Sequence, residues 1–335
     1  MKNSVKQHAS ALTAVLACLA LALVLYHSLA GGTLLQSSPY NSYALQAENW
    51  LAGRNNIANG ENYTWLELAI YQGRYYQSFP PVPAVLMLPF VAAAGEWSAI
   101  PGNLIAMGLA LLCAGGVYAC CMRGGMQPVT CAFFTLFVSM GSNVFWMSTS
   151  DGVWFLAQVC ALGFAFWGLF FAQGGNAVQD AAASLCMALA VGCRPFYALL
   201  LACWLGWQFY QRRSLKRILP ALLPAVVMAA CMMAYNFARF GSVTEFGHNY
   251  LPEFVRAENG QFSLTYLVPN LLQLLRPVTL DAQGQLHFEI YNGFLFFAAN
   301  PLFLLAMVRG LLLRLPGHQA EVQVSVPLPS AGWFV

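Results

Sequence analysis

The chain has 335 residues, with 15 Lys and Arg against 12 Asp and Glu, and a formal net charge of +3. Charged residues make up 8% and hydrophobic residues 59% of it, where a soluble domain is about 25% charged. That balance excludes both a water-facing globule and a disordered chain, because there is too little polar surface. The weak positive charge also argues against a nucleic-acid partner. The sequence therefore predicts an integral membrane protein.

Crossing a hydrocarbon core takes about 20 apolar residues. The first such run covers roughly residues 9–30 and follows Lys2 and Lys6. Ser28-Leu29-Ala30 resembles a signal-peptidase site, but the apolar stretch outruns a secretory core, so it reads as an uncleaved anchor, with a cleaved leader as the alternative. Residues 31–79 form a first long loop. Within it, residues 42–52 place Tyr43, Ala47, Trp50 and Leu51 on one helical stripe, which predicts an interfacial helix with Tyr43 and Trp50 at headgroup depth. Glu48 points away from that stripe. Residues 66–83 carry Glu67 and Arg74 among aromatics, then Pro80, Pro81 and Pro83. The plain reading is an aromatic belt and a stiff re-entry. The functional reading is a wall holding Glu67 and Arg74 over a surface cavity.

A short run at 80–94 reads as a re-entrant or juxtamembrane helix. Further spans are predicted near 101–122, 128–148, 153–173, 181–193, 196–210, 218–236 and 291–308. Arg194-Pro195 marks a tight turn between two of them. With 80–94 not crossing, Lys2, Lys6, Arg123, Arg212, Arg213, Lys216, Arg217, Arg309 and Arg314 share one side, which the positive-inside rule makes cytoplasmic. The expectation is an all-α polytopic bundle of about eight spans with both ends cytoplasmic. Residues 1–316 would form the transmembrane domain and 317–335 a disordered or aberrant tail.

The few ionisable groups predicted on the outer side are the functional candidates. Asp151 lies at the edge of a span, where it serves either as a helix cap or as a functional acid. Arg194 either snorkels to headgroups or binds a phosphate. A second long loop, 237–290, opens with Arg239 in Tyr235-Asn236-Phe237-Ala238-Arg239-Phe240-Gly241-Ser242. His248 and His287 have no metal-binding spacing, and the ten cysteines lie in apolar runs without zinc-type spacing. Walker, Rossmann and GxSxG signatures are absent. No cofactor is implied; a divalent ion near a phosphate is conceivable, but no ligand spacing specifies one. Asn62-Tyr63-Thr64 is a formal glycosylation sequon.

This layout resembles the GT-C class of membrane glycosyltransferases. It has one span, a large outer loop with a helix and a Gly-Arg-Tyr-Tyr…Phe-Pro-Pro segment, an acid at a span's outer end, an Arg-Pro turn, and Asn-x-x-x-Phe-Gly-Ser. The nearest branch is the bacterial part of the protein O-mannosyltransferase and lipid A aminoarabinose transferase superfamily, over residues 9–308. The resemblance implies a polyprenyl-phosphate sugar donor, an envelope glycan, lipid or protein acceptor, and transfer at the outer face of a bacterial inner membrane. Asp151 matches the family's second outer-loop acid and Arg194 its basic residue after the paired helices.

The family's first-loop catalytic Asp has no counterpart, since Ser38-Pro39-Tyr40-Asn41 contains no acid. Glu67 or Glu48 then stands as base, with Asp151 orienting the acceptor and Arg194, Arg74 and Arg239 facing the phosphate. A groove between the spans and the 80–94 helix would hold the prenyl chain. Relatives continue through more spans, so a C-terminal truncation or frame shift is expected here. The rival readings are a non-catalytic lipid-binding or assembly protein and a transporter or flippase.

Overall fold

The computed structural model describes residues 2–255, 258–260, 263–277 and 279–287, together with 304 and 308. The predicted span at 291–308 and the tail at 317–335 fall outside the described residues, apart from those two positions. The chain divides into two compact units after Pro252.

In the first unit, α1 (Lys2–Leu29) leads through a short turn to α2 (Ser42–Leu51). A hairpin follows, β1 (Leu68–Tyr71) and β2 (Arg74–Gln77), paired antiparallel with Tyr71 opposite Arg74. Its two-residue turn, Gln72-Gly73, has φ of 49° and 73°. Positive φ at both positions matches the twist of the flanking strands. Next come α3 (Val82–Ala94), α4 (Gly102–Arg123), α5 (Pro128–Met140), the short α6 (Val144–Met147) and α7 (Val153–Ala172). The unit continues through α8 (Ala177–Cys193), α9 (Ala198–Arg212) and α10 (Leu215–Phe240). Helix α11 (Pro252–Val255) sits at the division between units. The second unit contains α12 (Leu267–Leu274) and a small hairpin, β3 (Thr279–Leu280) and β4 (Leu286–His287).

Four of these helices are long and apolar enough to cross a membrane: Ser4–Leu29, Gly102–Arg123, Val153–Ala172 and Ile218–Phe240. Helices α3, α5 and α8 are shorter and apolar. The molecule is therefore a mostly helical protein of the integral membrane class. Helix α7 is central, packing on α4 and α8. Small residues allow that approach: a Cβ at Gly163 would lie 3.4 Å from Cys113, and one at Gly168 would lie 2.8 Å from Met187. Without water to drive helices together, such close backbone contact supplies the packing energy.

Contacts sort the connections to two ends of the bundle. One end holds residues 31–101, the 141–152 and 194–197 connections and the C-terminal turn of α10. Pairs such as Ser37 with Asp151 and Gln77 with Arg239 tie these together. The opposite end holds the ion pair of Arg212 with the fully buried Asp180. There Arg123 also lies over Phe170, 4.8 Å from its ring centre.

Helix α2 departs from the interfacial helix expected of it. Its apolar stripe exists, but protein covers the start of it, leaving Trp50 half-buried and Leu51 exposed. Tyr43, Ala44 and Ala47 are fully buried against Phe79 and the α3 residues Val82, Ala84 and Met87. Leu45, on another face, packs with Ile57, Leu66 and Leu68. Single-sequence periodicity gives the stripe but not what covers it, and here Phe79 and α3 cover its first turns.

Candidate functional site

Asp151 organises the loop-bearing end. Its carboxylate is fully buried and accepts three hydrogen bonds from the segment before α2. Two reach Oδ2, from Ser37 Oγ and Asn41 Nδ2, both at 2.6 Å. The third reaches Oδ1 from the Ser38 amide at 2.7 Å. Asn41 in turn caps α2, its Oδ1 accepting from the Ala44 amide at 2.9 Å. Asn103 accepts from the Asp151 amide and donates to the Thr33 carbonyl, so α4 joins the same knot. Gly102 is required there, since a Cβ would lie 1.7 Å from Asp151 Oδ2. Burial pushes the Asp151 carboxyl above its ordinary value, while the bonds from Ser37, Ser38 and Asn41 pull the other way. The N-cap of α7 is Gly152. Asp151 therefore does not cap that helix; it binds the first loop to the start of α7.

Glu48 is also engaged. Its Oε2 accepts the Trp97 amide at 2.8 Å, holding the turn Trp97–Ala99 against α2.

Glu67 and Arg194 meet a common residue, Trp154, in the first turn of α7. The Trp154 indole donates to Glu67 Oε2 at 3.3 Å, and its carbonyl accepts from Arg194 Nη2 at 2.8 Å. Both charged side chains are half-buried. Arg194 follows the last residue of α8 in extended conformation and opens the turn Pro195–Tyr197, as the Arg-Pro pair predicts. Its guanidinium lies 5.8 Å from the Phe79 ring centre, and its Nε is buried without a partner. A cleft of about 610 Å³ opens beside it, lined by Gln158, Arg194, Phe196, Tyr197, Leu199 and Leu200. Arg194 is the charged group in that lining. Tyr43, buried behind Phe79, has a hydroxyl with no hydrogen-bond partner. Burial drives its phenol well above the ordinary value, with the Arg194 charge opposing.

The other two arginines have different contacts. Arg239, near the end of α10, is 5% exposed; it donates to the Gln77 carbonyl at 2.6 Å and to Asn236 Oδ1 at 3.0 Å. Its guanidinium stacks on Tyr235, 3.9 Å from the ring centre. Arg74 is exposed at the hairpin turn. The structure thus brings Glu67 and Arg194 to one residue, places Glu48 and Asp151 in scaffold contacts, holds Arg239 on Gln77 and Asn236, and leaves Arg74 exposed. Sequence reasoning missed Trp154, Gln158, Ser37, Asn41 and Asn103. Only Asn41 carried a local signal, as a helix-capping residue type directly before α2.

A second, apolar groove of about 220 Å³ runs between α3, α4 and α7, lined by Leu86, Leu109, Leu112, Val159, Phe164 and Trp167 among others. Among the described residues no cluster of three His, Cys, Asp or Glu side chains could hold a metal ion. His248 packs its ring on Phe79 and Phe246.

This is an integral membrane protein with a loop-built cap at one end of its bundle. Comparison with protein-family profiles, with characterised proteins and with solved structures returns no match.

Proposed function

We propose that the protein is a GT-C-like membrane glycosyltransferase that moves a sugar from a polyprenyl-phosphate donor to an acceptor hydroxyl. In this reading about eight spans cross a bacterial inner membrane, both ends are cytoplasmic, and the loop-bearing end faces outward. The acceptor is an envelope glycan, lipid or protein, and nucleic acid plays no part. One observation carries the reading: a carboxylate and a guanidinium meet the same tryptophan, and the guanidinium lines a mainly apolar cleft.

The chemistry follows from those groups. Glu67 takes the proton of the acceptor hydroxyl as its oxygen attacks the anomeric carbon. The bond from that carbon to the donor phosphate oxygen breaks, and the lipid phosphate departs with the electron pair. Arg194 stabilises the phosphate by charge-assisted hydrogen bonds. The cleft and the α3–α4–α7 groove offer apolar surface for the prenyl chain. Glu48 and Asp151 then act on the scaffold, and Arg239 and Arg74 stand as further cations of the same loop-bearing end.

Purified protein in lipid nanodiscs, supplied with a radiolabelled polyprenyl-phosphate sugar and envelope lipid or glycan extract, tests this. Glu67→Gln is expected to lower transfer by about 10²-fold or more. Arg194→Gln should lower it by about 10²–10³-fold. Both variants should keep the wild-type melting temperature. A second reading, a non-catalytic lipid-binding protein, is favoured by the engagement of Asp151 and by the lack of an acid at Ser38–Asn41. It predicts donor retention without transfer, unchanged by Glu67→Gln.

A further inference from the structure

The second unit contains a short helix that leaves an aliphatic face exposed. A turn at Leu264–Tyr266 runs directly into α12, Leu267–Leu274. Its start is set by Ser263, whose hydroxyl accepts from the Thr265 amide at 3.2 Å. Pro269 falls in the first turn of α12, where its missing N–H costs nothing. At 100° per residue, Leu267, Val268, Leu271, Leu272, Leu274 and Leu275 share one broad face, with Asn270 and Gln273 opposite.

In a water-soluble protein that aliphatic face would be turned inward. Here Leu264 is 87% exposed, Val268 and Leu272 are each 62% exposed, and Leu271 is 52% exposed. Gln273, on the polar face, is only half-buried, but its Oε1 is enclosed without a partner. Asn270 is exposed as well, so along α12 only Gln273 is partly enclosed, and the aliphatic face is open throughout. No charged residue occurs from Leu264 to Leu275, and Arg276 follows immediately.

A contiguous aliphatic face of this kind marks an interaction surface. Its composition selects the occupant. Protein partners are held by Trp, Tyr and Arg anchors, while Leu and Val are under-represented among such hot spots. This face has only Leu and Val. A bilayer needs no anchors and no hydrogen bonds, only apolar surface bounded by interfacial residues. Tyr266 and Arg276 flank α12 in that way. In sequence it follows α10, a helix long and apolar enough to cross a membrane. We propose that residues 264–275 insert their leucine face into the acyl region of a bilayer leaflet.

Site-directed spin labelling tests this in the full-length protein. Leu271→p-acetylphenylalanine, coupled to a ketone-reactive nitroxide, leaves the native cysteines in place. In phosphatidylethanolamine/phosphatidylglycerol liposomes the label should collide several-fold more with oxygen than with a water-soluble nickel chelate. A label at Asp281 should show the opposite order. Labels at Val268 and Leu272 repeat the measurement in case one site disturbs the helix. Preference for the nickel chelate at all three positions would place the face in water and overturn the proposal. Low accessibility to both reagents would place it against protein, including a second copy, and would overturn it as well.

Discussion

Replacing Asp151 with Asn tests whether this carboxylate holds the first loop in place. An asparagine keeps the shape but has one acceptor oxygen where the carboxylate uses two. If its oxygen faces Ser37 and Asn41, its amide meets the Ser38 N–H, donor against donor. If it is reversed, its amide meets Asn41 Nδ2, which cannot turn over because Asn41 Oδ1 already accepts from Ala44. Either way one buried donor is orphaned, at a cost of about 1–3 kcal/mol. For a unit of this size that corresponds to roughly 2–10 °C in Tm. A thiol-reactive fluorogenic dye reads the transition, because Cys113, Cys160 and Cys193 are free and buried until unfolding. Glu61→Gln, an exposed control, should leave Tm unchanged. A Asp151→Asn protein that melts with the wild type would refute the clamp.

The pH dependence supplies a second check on the same variant. Burial raises the folded-state pKa of Asp151 above the ordinary carboxylate value. Between the ordinary and the raised value the folded chain binds the extra proton. The contribution of Asp151 to stability is therefore complete below the ordinary value and declines as pH rises through the raised one. The Tm gap between wild type and Asp151→Asn should be wider at the acid end of that window than at neutral pH. A gap that widens toward neutral pH would contradict the burial argument.

Three further outcomes follow from particular contacts. Arg212→Ala leaves the fully buried Asp180 carboxylate unpaired, which should destabilise by about 3–5 kcal/mol; adding Asp180→Leu should restore most of the lost Tm, and absence of rescue would deny the pairing its role. Tyr43→Phe removes a buried hydroxyl that has no partner, so Tm should hold or rise by a degree or two, and a large loss would mean the hydroxyl is bonded. Asn62 is exposed in the turn Gly60–Asn62; translation into eukaryotic microsomes should therefore glycosylate it, with Asn62→Gln abolishing the mass shift, if the first loop faces outward, and an unmodified chain would reverse the orientation.

The helices were legible because apolar run length is a local property. The runs expected at 101–122 and 153–173 coincide with Gly102–Arg123 and Val153–Ala172, and Arg194-Pro195 forms the turn its residue types predict. The 128–148 run is legible only in part. It breaks after Met140, where the Gly141 amide reaches back to the Leu136 and Phe137 carbonyls, before α6 resumes. The hairpin at 68–77 went unread because its strands are four residues each and its turn is Gln-Gly, not the Asn-Gly or Asp-Gly pair that signals such turns.

Which acid does what was not legible, and the reason is physical. A carboxylate's role depends on the donors that reach it, and for Asp151 those come from positions more than a hundred residues earlier. Spacing along the chain cannot reveal such a partner set. The sequence did narrow the question, because so few ionisable groups are predicted on the outer side that each is worth testing. For Asp151 and Glu48 that reason is mechanical: one gathers the residues that start α2, and the other pins the turn beyond α3 to its side. Glu67 differs in lying beside a tryptophan that also holds a guanidinium at an open, mainly apolar cleft. Cost and opportunity coincide there, since a half-buried charge near hydrocarbon is worth keeping where a charged or reactive ligand can meet it. Variants at Glu67 and Arg194 are therefore expected to separate function from stability, and variants at Asp151 to join them.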